Sequence, residues 1–125
     1  KDREMLIEEC EVIINCAASV SFNEPLQDAL NINYFGSLRM LNLGKECKKM
    51  KAYCHVSTCY VNSNISIDLT VDEKIYNSDQ DVDRIVGKVM QMNPREIEEN
   101  LHSMIDNHYN TYCFTKNLFE HTSTF

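Results

Sequence analysis

The chain has 125 residues, of which 43% are hydrophobic and 25% are charged, and these proportions are typical of one globular domain. Its net charge of −7 argues against a nucleic-acid partner, because a phosphate backbone binds to a basic surface. No apolar run approaches the roughly 18 residues of a membrane-spanning helix, and the longest candidate, Val12 to Val20, contains Asn15. The first residue is Lys1 and not a methionine, so we expect the sequence to be a fragment of a longer protein.

Six cysteines are present, with no C-x-x-C pair and no metal-ligand spacing to the four histidines. We therefore expect no metal site, and we expect free thiols that are buried, in a reducing intracellular compartment. Cys16 and Cys54 are expected in core strands, and the others are Cys10, Cys47, Cys59 and Cys113.

Two short apolar segments predict β-strands. Val12 to Ile14 is β-branched throughout, the pattern of a strand buried on both faces, and it ends in Asn15 and small residues. Ala52 to Val56 is the second strand, and the hydroxyl pair Ser57-Thr58 follows it. Ligands of open α/β sheets bind at the carboxyl ends of the strands, so these two strand ends are the place to look for a site.

One long helix is predicted between the strands. Asn23-Glu24-Pro25 provides a capping side chain and a first-turn proline, and apolar residues then recur at helical spacing towards Lys48 to Lys51. Gly36 lies inside this helix, where we expect it to allow close approach of a neighbouring backbone. A strand-helix-strand order makes the two strands parallel and places Asn15 and Thr58 at the same edge of the sheet.

The remaining segments are read from periodicity and turn signals. Residues 60 to 80 are polar and irregular, with weak strand character from Ile65 to Val71. Helices are predicted from Asp81 to Met92 and from Pro94 to about Ile105. Asp106 to Asn110 is the turn that precedes a last helix.

That last helix contains Tyr112 and Lys116. A spacing of four residues places both side chains on one face of a helix. A cation within a few ångströms favours a phenolate and lowers the pKa of a tyrosine from about 10, which makes the phenol a usable general acid. The alternative is an exposed amphipathic helix, which the same spacing also fits.

Several ordered runs resemble the extended short-chain dehydrogenase/reductases, and more closely the reductase domain of fatty acyl-CoA reductases. The resemblance covers nearly the whole chain. The runs that carry it are CAASVSFNEPL from Cys16 to Leu26, HVSTCYVN from His55 to Asn62, EKIY from Glu73 to Tyr76, and NTYCFTK from Asn110 to Lys116.

The resemblance implies a role for each catalytic candidate. Tyr112 would protonate the reacting oxygen, and Lys116 would lower the pKa of the phenol and hold the nicotinamide ribose. Thr58 would orient the substrate carbonyl, because it stands three residues before the valine that matches the family pattern, with Ser57 as second choice. Asn33 would belong to the proton relay behind the lysine. Each could also be structural: Thr58 could simply end a strand, and a helical asparagine such as Asn33 is usually solvated or locally bonded.

The same resemblance implies the cofactor and substrate. Ala17 and Ala18, with Asn15 beside them, would line the cofactor, which would be NADPH. The substrate would be a long-chain fatty acyl-CoA, reduced through the aldehyde to the alcohol. The parent protein would be intracellular and associated with the peroxisomal or endoplasmic reticulum membrane, through regions outside this sequence.

The implied fold is α/β, a partial Rossmann-like, doubly wound parallel sheet over residues 1–125, with a central β-α-β unit and a catalytic helix. The glycine-rich turn that binds pyrophosphate in this fold is missing, since Gly36, Gly44 and Gly87 are the only glycines. We therefore expect the chain to be inactive alone. Two alternatives stay open: another extended reductase acting on a sugar or steroid, and a truncated product that only binds.

Overall fold

The computed structural model describes residues 1–66, 68–76 and 81–123, and it has an α/β fold. Two strands, β1 (Val12–Asn15) and β2 (Ala52–His55), are combined with helices before, between and after them. The helices are α1 (Asp2–Glu9), α2 (Leu26–Ala29), a π-helical segment (Leu30–Phe35), α3 (Gly36–Glu46), α4 (Val82–Gln91), α5 (Pro94–Met104) and α6 (Thr111–Ser123). This architecture is compatible with part of a Rossmann-like fold.

The two strands are parallel, as predicted. Val12 lies opposite Ala52 and Asn15 lies opposite His55. The pairing continues one residue further, where the Val56 N–H donates to the Asn15 carbonyl at 2.9 Å. The helical run between the strands packs on them, which confirms the β-α-β unit.

The prediction that β1 is buried on both faces is wrong. Ile13 is 7% exposed, whereas Val12 and Ile14 are 52% and 67% exposed. Side chains alternate along a strand, and α3 packs on the face that carries Ile13 and, across the ladder, Tyr53. The opposite face of the sheet is uncovered in the part of the chain that the structure describes.

The same alternation corrects the prediction for the cysteines. All six thiols are free, but only Cys47 and Cys113 are buried. Cys54 is exposed on the uncovered face of β2, and Cys16 is exposed just after β1 ends. A cysteine in or next to a predicted strand is therefore not necessarily buried.

The predicted long helix is continuous from Leu26 to Glu46, but it is not α-helical throughout. Its middle is the π-helical segment, and π turns inside α-helices are frequent at functional sites. The start also differs, because Pro25 occupies the N-cap position without a side-chain cap, so the predicted capping side chain is not used. The helix ends before Lys48 and not beyond it.

The expectation for Gly36 is wrong as well. A Cβ at Gly36 would meet only the Asn31 carbonyl of its own helix, at 3.7 Å. The close approach occurs at Gly44, where a Cβ would lie 3.4 Å from the Tyr53 ring and 3.6 Å from the Ile13 side chain. The helix therefore contacts the sheet two turns after the position that the sequence suggested.

The C-terminal helices follow the predicted boundaries closely. Asp81 caps α4, and a capping box formed by Asn93 and Glu96 begins α5. The turn before α6 includes Asp106 and Asn107 with φ of 47° and 61°, a conformation that these residue types tolerate. From Ile65 to Val71 the described residues form turns and not a strand, while Ile67 and residues 77–80 lie outside the described residues.

Helix α6 is the centre of the hydrophobic core. Every residue from Cys113 to Phe119 is buried, which excludes the exposed amphipathic helix that the Tyr112 to Lys116 spacing also fitted. Its apolar side chains pack with those of the long helical run and of α4 and α5. The cluster consists of Leu26, Leu30, Tyr34, Leu41, Val86, Val89, Ile97, Ile105, Phe114, Leu118 and Phe119.

Candidate active site at the carboxyl edge of the sheet

Lys116 projects from α6 to the end of β2. It is only 2% exposed, and its Nζ lies 2.8 Å from the Val56 carbonyl oxygen and 3.1 Å from His55 Nε2. Burial lowers the pKa of Lys116, and the charge of Glu120 opposes that shift. The amine is therefore held at the edge of the sheet, inside the protein.

His55 connects this lysine to β1. Its Nδ1 lies 3.3 Å from Asn15 Nδ2, and its ring centroid is 4.3 Å from that of Phe119. Burial, and then the charge of Lys116, lower the pKa of His55 to about 4, so the imidazole is neutral at pH 7. Asn15 Nδ2 also lies 3.3 Å from Tyr53 Oη, so the amide contacts two groups of β2.

Asn15 was predicted at the edge of the sheet beside the cofactor. It does end β1, but it is only 5% exposed and lies on the helix-covered face with His55 and Tyr53. Ala17 and Ala18 follow it, the first exposed and the second partly buried. The two alanines thus lie beyond the strand end, whereas the Asn15 amide contacts groups of the protein.

Ser57 and Thr58 follow directly after the carbonyl that binds Lys116. Among the described residues, Ser57 Oγ is one of the buried polar atoms without a hydrogen-bond partner. Thr58 Oγ1 accepts the Tyr60 N–H at 3.3 Å, a contact that leaves the hydroxyl hydrogen for an acceptor elsewhere. Asn117 Nδ2 donates to the Val61 carbonyl at 3.2 Å and so fastens this turn to α6.

Tyr112 lies one turn before Lys116, at the start of α6. It is partly buried, and its ring centroid is 5.6 Å from that of Phe22. Asn110 Oδ1 accepts the Cys113 N–H at 2.9 Å and caps the helix start. The Thr111 hydroxyl donates to the Glu24 carbonyl at 2.9 Å, which holds the loop that contains Phe22 against this end of the helix.

Asn33 was predicted to lie behind the lysine. It is 1% exposed, and its amide bonds both backbone groups of Ser19: Oδ1 accepts the N–H at 2.8 Å and Nδ2 donates to the carbonyl at 3.2 Å. Nδ2 also donates to Thr115 Oγ1 at 3.1 Å. These contacts tie the loop after β1 to the residue next to Lys116, while the observed partners of the lysine itself are His55 and Val56.

A groove of about 500 Å³ opens beside this end of α6. Phe22, which packs on the Tyr112 ring, is part of its wall. Apolar side chains of α2 and α5 line much of the rest, including Leu26, Ile97 and Leu101. Its size is within the range of small-molecule sites.

His55 was not predicted as a site residue. The histidine stands at the end of a predicted strand, immediately before the Val56-Ser57-Thr58 run, and that position was the available signal. The sequence could not show that His55 contacts Lys116, because the two residues are 61 positions apart.

The described residues contain no helix that is both long and apolar enough to cross a membrane. Nor do they bring together three or more histidine, cysteine or acidic side chains that could hold a metal ion.

A parallel strand pair has a buried lysine from α6 at its carboxyl edge, and Tyr112 stands one helical turn before that lysine. The arrangement is compatible with the class of α/β dinucleotide-binding domains. The model of the male sterility protein family, an NAD-binding domain, matches residues 1–123. The chain belongs to this family. The match supports a nicotinamide cofactor.

The similar proteins include several fatty acyl-CoA reductases. A Drosophila melanogaster protein provisionally named a fatty acyl-CoA reductase, CG8306, is 35% identical over 97% of this chain and 23% of its own length. Fatty acyl-CoA reductase 1 of Xenopus laevis is 31% identical and that of Homo sapiens 30% identical, with the same coverage. This chain thus spans about a quarter of the length of these relatives.

Proposed function

We propose that the full-length protein carrying this chain reduces long-chain fatty acyl-CoA with NADPH, first to the aldehyde and then to the alcohol. The observation that carries the proposal is the buried Lys116 amine at the carboxyl edge of the strands, one helical turn from Tyr112. The similarity to proteins named fatty acyl-CoA reductases supports the substrate class.

The residues of this chain fit the nicotinamide end of the cofactor. An ammonium has three donors, of which the observed contacts of Lys116 use two, so a third can bind a ribose hydroxyl. Ser57 Oγ is buried without a partner in the described part of the chain and offers a further polar contact. The pyrophosphate end is different, since all three glycines lie inside helices and none forms a phosphate-binding turn.

The roles of the side chains follow from this arrangement. When bound, the reduced nicotinamide supplies a hydride to the carbonyl carbon. Thr58 orients the carbonyl through the hydroxyl hydrogen that its contact with Tyr60 leaves available, and Ser57 is the second candidate. Tyr112 protonates the oxygen that gains charge, and the positive charge of Lys116 stabilises the phenolate that remains. In the first reduction the hemithioacetal so formed then loses the CoA thiol to give the aldehyde, and a second hydride and proton convert the aldehyde to the alcohol.

The apolar groove supports a long-chain substrate. Phe22 both packs on Tyr112 and lines the groove, so an acyl chain lying there would have its thioester close to the proposed acid. Leu26, Ile97 and Leu101 would contact its methylene groups. We propose that the groove accepts part of the acyl chain.

The experiment is Tyr112→Phe in the full-length protein, assayed by NADPH oxidation with an acyl-CoA. Removal of the phenolic proton should reduce kcat by about 10²- to 10⁴-fold, the usual contribution of a general acid, and leave NADPH affinity nearly unchanged. Tyr76→Phe is the matched control, because the Tyr76 hydroxyl accepts the Asp72 N–H at 2.7 Å and Tyr76 does not line the groove. Full turnover by Tyr112→Phe would contradict the proposed role.

The isolated 125-residue chain should not oxidise NADPH with an acyl-CoA. Its glycines lie in helices, so it lacks the turn that would bind the pyrophosphate. Turnover by the purified chain would refute this part of the proposal.

A further inference from the structure

His55 lies between two groups that are both usually hydrogen-bond donors. Its Nδ1 faces Asn15 Nδ2 at 3.3 Å, and its Nε2 faces Lys116 Nζ at 3.1 Å. A neutral imidazole has one N–H and one acceptor nitrogen, so it cannot accept from both sides at once. The protonation of Lys116 therefore determines which tautomer His55 adopts.

The contact with Val56 is compatible with a charged lysine, because its length of 2.8 Å fits an ammonium donating to an oxygen. A lysine is ordinarily charged at neutral pH, since its usual pKa is about 10.4. A charged Lys116 has no lone pair, so Nε2 of His55 must accept and Nδ1 must carry the hydrogen.

That hydrogen requires an acceptor, which Asn15 can provide. A half-turn of the amide exchanges Oδ1 and Nδ2 with little change in shape. In the turned orientation Oδ1 accepts from His55 Nδ1, which lies 3.3 Å from the present amide nitrogen. The Tyr53 hydroxyl, at the same distance, now donates its hydrogen to the Ser37 carbonyl at 3.4 Å and would turn that hydrogen to Asn15 Oδ1. The orientation in the structure, with Nδ2 towards the ring, is the one that would fit a neutral lysine.

We propose that His55, as the Nδ1–H tautomer fixed by Asn15, is the positioning residue that holds the Lys116 ammonium at the site. The inference rests on the proposed function, in which Lys116 is a catalytic residue. It assigns the place behind the lysine to His55, where the family resemblance suggested Asn33. A neutral imidazole suits this task because it accepts from the ammonium without adding a second positive charge.

Other titratable groups lie near the pair and enter any pH profile. On α6 these are Glu120, whose charge raises the pKa of Lys116, and Tyr112 one turn earlier. On β2 it is Tyr53, whose pKa is raised by burial. The Phe119 ring, which packs on the imidazole, does not titrate.

The first test reads the tautomer directly, without cofactor or substrate. The full-length protein is labelled with ¹⁵N-histidine, and the His55 signals are identified by their absence in His55→Gln. At pH 7 the shifts should show a neutral ring with the hydrogen on Nδ1, and Lys116→Met should alter them. A ring with the hydrogen on Nε2, or a protonated ring, at pH 7 would overturn the proposal.

The second test reads the effect on catalysis. His55→Leu keeps much of the volume but removes the acceptor, and should lower kcat/KM at least tenfold and move the limb of the pH–rate profile that depends on Lys116 by half a unit or more. His55→Gln, which offers a carbonyl oxygen, should recover most of both. His102→Gln on α5 is the matched control, because His102 is exposed.

The outcomes separate this inference from the proposed function. If Lys116→Met abolishes turnover while His55→Leu changes neither rate nor pH profile, the role of His55 is wrong and the proposed site stands. If Lys116→Met and Tyr112→Phe both keep full activity, the proposed function fails, and the tautomer measurement still decides whether His55 holds the lysine. A loss of rate without a pH shift in His55→Leu, or the same loss in His55→Gln, would indicate a merely structural role and overturn the proposal.

Discussion

Replacement of Asn33 by alanine should loosen the loop that follows β1. Asn33 bonds the N–H and the carbonyl of Ser19, and it bonds Thr115 on α6. The side chain therefore fixes one point of that loop to two helices. Its removal takes away all three contacts at once.

The size of the effect follows from the surroundings of each bond. Ser19 is partly exposed, so water can replace the two bonds to its backbone, and each should contribute about 0.5 kcal/mol. The bond between Asn33 and Thr115 is buried and should contribute about 1 kcal/mol. Opening of the loop breaks only the two bonds to Ser19, because the bond between Asn33 and Thr115 joins two helices, so the relevant loss is about 1 kcal/mol, roughly a fivefold change in the opening equilibrium of the loop.

Hydrogen exchange measured by mass spectrometry tests this in the full-length protein. Peptides covering residues 16–24 should exchange about fivefold faster in Asn33→Ala, because local opening becomes that much easier. Asn31→Ala is the matched control, since Asn31 is exposed in the same π-helical segment. Unchanged exchange combined with a loss of turnover would refute the loop-holding role and favour the relay role instead.

Three further predictions follow from packing, titration and the groove. Gly36→Ala should raise the free energy of unfolding by about 0.5–1 kcal/mol in urea denaturation, because the alanine Cβ has space and alanine is the better helix former. A lower free energy of unfolding would show that a neighbouring group lies too close to Gly36 for a Cβ. The folded-state pKa of His55 is about 4, below its ordinary value of 6.5, so the unfolded chain binds the proton at a higher pH than the folded chain does. The stability contributed by the neutral ring should therefore be complete above pH 6.5 and be lost as the pH falls towards 4. In unfolding measured from pH 7.5 to 4, His55→Gln should flatten that decline. Leu101→Trp should fill part of the groove and raise KM for long acyl chains at least tenfold relative to short ones. His102→Trp, outside the groove, should leave the dependence of KM on chain length unchanged. If neither variant changes that dependence, the groove is not an acyl site.

Local signals in the sequence were sufficient for most of the secondary structure. Apolar periodicity and the break at Asn93-Pro94 predicted α4 and α5, and in the structure Asp81 and Asn93 cap their starts. The pairing of the two strands was predictable because a crossover helix leaves parallel pairing as the usual outcome. Tyr112 and Lys116 lie on one helix, as predicted.

Burial was much harder to predict. An apolar strand reads the same whether one face or both are covered, so the exposure of Ile14 and Cys54 depended on where the helices pack. Gly36 and Gly44 both stand inside helix α3, and only the sheet beneath shows which of them makes room for a contact. The burial of every residue from Cys113 to Phe119 was likewise hidden, because this stretch mixes polar and apolar residues.

The sequence by itself determined the order of the strands and helices, the catalytic candidates Tyr112 and Lys116, and the family resemblance, because each depends on residues that are near one another along the chain. The tertiary structure alone decided the surroundings of the lysine. His55 and Asn15 meet near Lys116 only after β1, β2 and α6 have packed, and hydrogen bonds between residues 40 and 61 positions apart leave no local pattern.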